Sequence, residues 1–364
     1  KEIRRAGAQT TEIEHEPLKF LVEGLSTPLG PNSTTRYIYK VYIWEDAVAR
    51  GGQSPRFHST PHTHKSNLRS RAVTIKTIAI ISPGDMGSGI GKALVQEGYQ
   101  VITCSEGRSP LTKELAQKAG FQDTPNLATL LSQADCLFSI VPPESALSVA
   151  QNIAGHIQSA NPGLLYVDCN AIAPQTTLKI AEIIGGAGAR YVDCGIIGSP
   201  PERRGLTRVY LSGPDTSEVL ELHGQNIDFR NLGDQIGTAS ALKMCYASQT
   251  KGTTALWLHS LVTAQSLGVL DPLRKEWTSS HPTLWGRMED NIPTVPHRAG
   301  RWIGEMKEIA LTMEGIGLTN DAFEGAAAMY ELVDAVFHQK GYSEGPPILE
   351  VLSTIEHHLH DHHE

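Results

Sequence analysis

The sequence predicts an α/β fold, a doubly wound parallel sheet followed by an all-helical C-terminal domain, on three observations. Between Val73 and about Arg230 short apolar runs alternate with helical stretches, as parallel strands joined by crossover helices do. The first run, TIAII at Thr77–Ile81, leads through the turn SPGDMG into a helix, the βα start of a Rossmann-type sheet. After Gly237 the strand pattern stops and only helical periodicity remains.

In chain order, residues 1–72 read as an extension without a fold, since Gly51–Arg71 is basic, has no acidic residue and shows little apolar periodicity. Residues 73–236 form the sheet domain. Its strands are expected at Thr77–Ile81, Gln100–Cys104, Cys136–Val141, Leu164–Cys169, Arg190–Ile196 and Arg208–Gly213, with helices such as LTKELAQKAG and QTTLKIAEIIGG between them. Residues 237–356 are the helical domain. It opens with one long helix from ASALKM to Gly268, and Asp271-Pro272 is expected to cap the next. Further helices are expected in HRAGRWIGEMKEIALTMEGIG, NDAFEGAAAMYELVDAVFHQ and PPILEVLSTIEHHL, and residues 357–364 read as a solvated His-rich tail with no physiological metal.

Composition excludes several classes of function. The 364 residues, 40% hydrophobic and 19% charged, suit a globular protein, and no apolar run is long enough to span a bilayer. A net charge of −8 argues against a general nucleic-acid binder. The five cysteines lack close CxxC pairing and read as buried, reduced thiols, so a cytoplasmic location is expected.

The turn Ser82-Pro83-Gly84-Asp85-Met86-Gly87 carries the second and third glycines of a dinucleotide fingerprint and a serine at the first. Glycines there let the backbone approach a pyrophosphate, whose charge rests on the helix N-terminus. At the end of the second strand an acid would grip the ribose of NAD, and small residues with an arginine would accept the 2′-phosphate of NADP. Ser105 takes the usual acidic position and Arg108 and Ser109 follow, which favours NADP; Glu106 keeps NAD open. Val141-Pro142 ends a strand at the carboxyl edge of the sheet and is expected beside the cofactor.

Four segments together resemble the β-hydroxyacid and 6-phosphogluconate dehydrogenases over about residues 75–340. SPGDMG is similar to that family's GxGxMG turn, VDCNAIAP (Val167–Pro174) to its substrate loop, DCGIIGS (Asp193–Ser199) to its D-A-P-V-S-G-G loop, and GTASALK (Gly237–Lys243) to the start of its interdomain helix. The resemblance implies Lys243 as general acid/base for a substrate hydroxyl and Asn170 as the residue that orients the substrate. It also implies a homodimer through the helical domain. The family's helix asparagine falls near Tyr246 or Ala247, neither of which is Asn. Helical spacing puts Lys243, Tyr246, Ala247, Thr250 and Lys251 on one face, so Lys251 is expected to add a cation for an anionic or carbonyl-containing small substrate. The implied activity is an NADP-dependent oxidoreductase acting on a hydroxy acid or related alcohol or carbonyl compound. An imine or ketone reductase of the same fold, or an inactive dinucleotide-binding regulatory protein, are the alternatives.

Overall fold

The structure is a computed structural model that describes residues 3–5, 8–15, 18–26, 37–45, 75–201, 207–337 and 345–361. The chain forms two compact units, Lys1–Arg69 and Ser70–Glu364. In the first, β1 (Ile3–Arg5), β2 (Ala8–His15), β3 (Leu18–Ser26) and β4 (Tyr37–Glu45) form an antiparallel sheet in the order β1-β2-β3-β4. This differs from the extension without a fold expected over residues 1–72. The physical reason is local composition: Tyr37–Glu45 (YIYKVYIWE) is rich in the β-branched and aromatic residues that suit a pleated surface. The basic stretch Gly51–Arg71 lies outside the described residues.

The second unit holds an eight-stranded sheet and a helical region. In chain order its sheet part is β5 (Thr77–Ile81), α1 (Asp85–Gln96), β6 (Gln100–Thr103), α2 (Pro110–Lys118), β7 (Gln122–Asp123), α3 (Leu127–Gln133), β8 (Cys136–Ser139), α4 (Pro143–Ala160), β9 (Leu165–Asp168), α5 (Pro174–Gly186), β10 (Arg190–Ile197), β11 (Thr207–Ser212), α6 (Ser217–Leu220) and β12 (Ile227–Asn231). The strand order is β12-β11-β10-β9-β8-β5-β6-β7, parallel throughout except where β11 runs against β10. Order reverses between β5 and β8, and the crevice at the carboxyl ends of those strands is where an open α/β sheet takes its ligand. The six expected strands are all present. Two more, the two-residue β7 and the half-polar β12 (IDFRN), carry too little apolar pattern to be read from sequence.

Both faces of the sheet are covered, which explains why its strands read as continuous apolar runs. Ile78, Ile80, Ile90, Leu94, Phe138 and Val192 pack on the side of α1, and Leu131, Leu137, Ile153, Tyr166 and Ile180 on the side of α4 and α5.

The helical region begins with α7 (Thr238–Ala247), which passes through a π-helical turn at Ser248–Gly252 into α8 (Thr253–Ser266). The expected long helix is thus continuous but carries an internal irregularity. Then follow α9 (Leu270–Ser280), α10 (Pro282–Asn291), a 3₁₀ turn at Ile292–His297, α11 (Ala299–Glu314), α12 (Asp321–Phe337) and α13 (Ile348–Asp361). Asp271 does not cap α9, which starts at Leu270 and takes Asp271-Pro272 into its first turn. The His-rich run is helix rather than tail through Asp361, because Val351, Leu352, Ile355 and Leu359 keep one face of α13 on the core. Among the described residues no cluster of His, Cys, Asp or Glu could hold a metal ion, and no helix is long and apolar enough to cross a membrane.

The helical region docks on the sheet domain through α11. Glu308 accepts from the Ala173 N–H (2.7 Å) and the Thr176 hydroxyl (2.8 Å), satisfying the open N-terminus of α5, while Gln175 donates to the Leu311 carbonyl (3.0 Å). Lys307, its neighbour, instead pairs at the surface with Glu331 (2.8 Å).

Candidate active site

The turn between β5 and α1 is built by backbone geometry. Ser82 has φ +56°, in the left-handed region that favours glycine, and the Gly84 N–H donates to the Ser82 carbonyl (2.7 Å) across Pro83. Serine therefore adopts the conformation the missing glycine would have held. Gly84 is the N-cap of α1 without a side-chain cap, and a Cβ there would meet no protein atom within 4 Å. Gly87 differs: a Cβ would lie 3.4 Å from Ile80 and 3.8 Å from Ile140, ordinary packing contacts, so this glycine sits against the sheet rather than beside open space. Asp85 opens the helix and Met86 packs half-buried on the sheet core. The uncapped N–H groups of α1, beside open space at Gly84, fit a dinucleotide pyrophosphate.

At the end of β6 the Ser105 N–H donates to Asp123 of β7 (2.8 Å), and the Arg108 N–H donates to the Ser105 carbonyl (3.1 Å). This turn presents Arg108 to solvent. Ser109 serves as the N-cap of α2, its hydroxyl accepting from the Thr112 N–H (3.2 Å). A cavity of about 440 Å³ borders the turn, lined in part by Ser105, Glu106, Lys113 and Asp123.

Asn170 takes a different role from the one expected. It is 2% exposed; its Oδ1 accepts from the Val141 N–H (2.8 Å), and its Nδ2 donates to Ser139 (3.2 Å) and Asp168 (2.6 Å). An amide so engaged holds the Val141-Pro142 segment, which caps α4, and does not turn toward a substrate. Burial pushes the Asp168 carboxyl up to about 7, opposed by hydrogen bonds from Tyr191 (2.8 Å) and Asn170 that favour its charged form.

The start of α7 is held by a residue that sequence reading quoted but gave no role. The buried carboxylate of Asp193 accepts from the N–H groups of Gly237 (2.9 Å), Ala239 (3.0 Å) and Ser240 (3.1 Å), and from the hydroxyls of Ser212 (2.8 Å) and Ser240 (2.6 Å). Supplied from β10, it does the work of an N-cap on a helix whose own N-cap, Gly237, has no side chain. Two residues along β10, a Cβ at Gly195 would lie 2.6 Å from the Ala239 carbonyl and 3.3 Å from Lys243 Cβ. The glycine brings α7 against the strand, and Lys243 Nζ donates to the Ile196 carbonyl (2.7 Å).

Lys243 is half-buried, and its ammonium is pulled down to about 8, first by burial and then by the charge of Lys251, with Glu305 acting the other way. Lys251 does not stand as an open cation. Its ammonium pairs with Glu305 of α11 and lies over the Trp302 ring, 5.6 Å from the centroid. Tyr246 is 45% exposed and makes no hydrogen bond to Lys243, and Ala247 is buried in the helical core. Of the expected face, Lys243 and Lys251 stay together, the π-turn bringing position 251 round toward 243, while Tyr246 falls outside the cluster. Of the five cysteines Cys136, Cys169 and Cys194 are buried, but Cys104 is half-buried and Cys245 exposed on α7, which corrects the expectation that all are interior.

Comparison with known proteins agrees with this architecture. Residues 77–221 match the NAD binding domain of 6-phosphogluconate dehydrogenase, and residues 264–333 match a domain of unknown function, DUF1932. An uncharacterized 28.5 kDa protein in the 7S RNA 5′ region of Methanothermus fervidus is 30% identical over 54% of this chain and 74% of its own length. Mouse mitochondrial 3-hydroxyisobutyrate dehydrogenase is 25% identical over 63% of this chain and 70% of its own. Among solved structures, a conserved hypothetical protein from Sinorhizobium meliloti 1021 superposes with a TM-score of 0.58 over 80% of this chain and 99% of its own, at 22% identity. A glycine turn opening a doubly wound sheet, an interdomain helix bearing Lys243 and these matches together make the chain a divergent member of the superfamily of β-hydroxyacid and 6-phosphogluconate dehydrogenases.

Proposed function

We propose that the protein is an NADP-dependent oxidoreductase acting on a hydroxy acid or a related alcohol or carbonyl compound, with Lys243 as general acid/base. The observation that carries this reading is Lys243 itself: a half-buried lysine held by the Ile196 carbonyl (2.7 Å), with an ammonium that titrates near 8. Such a group is protonated and neutral in comparable amounts near physiological pH, as an acid/base catalyst requires. Ser82–Gly87, Val141 and Pro142 would hold the cofactor, and Arg108, anchored through Ser105 to Asp123, would take a 2′-phosphate. When bound, the nicotinamide accepts or supplies hydride. Lys243 Nζ takes the proton of the substrate hydroxyl in oxidation and returns it to the carbonyl oxygen in reduction. Ile196 fixes the ammonium, and Asn170 fixes the Val141-Pro142 segment. The same reading takes the protein as a homodimer through its helical region, supported by the exposure of Leu256 (65%), Leu267 (70%) and Ile316 (74%).

A screen of hydroxy acids, ketones and imines, read by nicotinamide absorbance, tests the reading. Turnover of a hydroxy acid or ketone, faster with NADP(H) than NAD(H), is expected. Cofactor binding without turnover of any of the three classes would reject it in favour of a regulatory protein.

A further inference from the structure

Lys243 does not face one neighbour but a pair. Lys251 lies in the π-turn Ser248–Gly252, where the helical hydrogen-bond ladder is broken and the Lys251 carbonyl accepts instead from the Tyr330 hydroxyl (2.6 Å). Tyr330 stacks edge-on against Trp302 (5.2 Å between centroids), and Trp302 underlies the Lys251 ammonium. Gly252 completes the turn, since a Cβ there would come within 2.8 Å of Phe323. These contacts from α11 and α12 fix one cation and one carboxylate, 20% and 13% exposed, beside a third titratable group.

We propose that Glu305 is a positioning residue of the reaction: by pairing with Lys251 on the π-turn it sets how much positive charge stands beside the Lys243 ammonium. This rests on Lys243 as the acid/base of the proposed function. The other groups facing Lys243 are few. From β10 comes Asp193, whose carboxylate is spent on the start of α7, while the Cys194 thiol points to the opposite, α1 face of the sheet. By register with Gly195 and Ile197, Tyr210 and Arg208 of β11 lie on the same side of the sheet, the Tyr210 hydroxyl taking a hydrogen bond from Arg230 (3.0 Å). On α5, Lys179 and Glu182 are exposed, and on α11 Glu308 is engaged with Ala173 and Thr176. Lys251 and Glu305 are thus the two charges that can oppose one another at Lys243. Without Glu305 the uncompensated Lys251 would shift Lys243 toward its neutral form, a poorer proton donor. Without Lys251 the carboxylate would shift it toward its protonated form, a poorer acceptor.

The account predicts shifts of opposite sign, read without substrate or cofactor. The full chain is acetylated with acetic anhydride across about pH 6 to 11, a range that brackets lysine titration, and the Lys243 peptide is quantified by mass spectrometry. Glu305→Gln should move the labelling midpoint of Lys243 about one pH unit down and Lys251→Met about one up, as charges several ångströms away at an effective dielectric near 20 require. Glu305→Asp, which keeps the charge, should restore the wild-type midpoint and guards against a folding defect in Glu305→Gln. Midpoints that stay put, or move in one direction in both variants, overturn the role of Glu305. Shifted midpoints in a protein that turns over no substrate would leave Glu305 as the residue that sets the charge beside Lys243 and reject the proposed reaction instead.

Discussion

The turn at Ser82–Gly87 and the seating of α7 on β10 both turn on a glycine where a helix meets a strand, yet they are built for opposite purposes. At Gly84 an added Cβ meets nothing within 4 Å; at Gly195 it would strike a backbone carbonyl 2.6 Å away. The first glycine keeps space open for something outside the chain. The second closes space so that the chain can press a helix, and the lysine it carries, onto β10. A ligand-binding surface can be made by local backbone shape alone. The surroundings of Lys243 need side chains distant in sequence: Asp193 on β10 holds the start of α7, and Glu305 on α11 pairs with Lys251.

Substitutions at the two junctions should separate these purposes. The largest effect is expected from Gly84→Val, whose side chain would occupy the open space. Its backbone already lies in the extended region any residue can adopt, so the melting temperature should be unchanged while cofactor titration shows no saturable binding. Gly195→Ala should do the reverse, costing about 1–3 kcal/mol as overpacking does and lowering turnover while cofactor affinity holds; calorimetry and kinetics together read this. Equal behaviour of the two variants would erase the distinction.

Arg108→Ala probes the cofactor end. Loss of a charge-assisted phosphate contact is worth about 1.5–3 kcal/mol in NADP binding and little in NAD binding. Equal losses for both cofactors by isothermal titration would remove Arg108 from the site. The smallest effect is expected from Ser82→Gly. Relief of the left-handed backbone, about 1–2 kcal/mol, is offset by the roughly 0.5–1 kcal/mol of extra chain entropy glycine loses on folding. Cofactor affinity should stay within a few fold; a large change in either direction would mean the serine hydroxyl, rather than its backbone, makes the site.

The same contrast explains what the sequence made legible. TIAIISPGDMG announced β5, the turn and α1 because strand, turn and helix carry their own periodicities over a few consecutive residues. Lys243 stood out through GTASALK, although what seats it against β10, Gly195 under α7 and Asp193 at the start of the helix, appears only when β10 is laid beside the helix. Asn170 was found and misassigned, since nothing in VDCNAIAP says that its amide is consumed by Val141, Ser139 and Asp168. Glu305 and the π-turn left no local signal. Helical periodicity spaced Lys251 from Lys243 as if the helix were regular, and the carboxylate that pairs with Lys251 lies 54 residues further along the chain.

The central claim is that Lys243, pressed onto β10 and balanced between two charges, moves the proton. Its most direct test is the pH profile of turnover in the oxidative direction for wild type and Lys243→Met. The wild-type rate should rise with pH through about 8, as the ammonium gives up its proton and becomes able to accept one. Lys243→Met should keep cofactor affinity, lose roughly 10²–10⁴-fold in kcat and lose that limb of the profile altogether. A Lys243→Met protein with wild-type kcat and the same rise near pH 8 would contradict the account, because another group would then be carrying the proton.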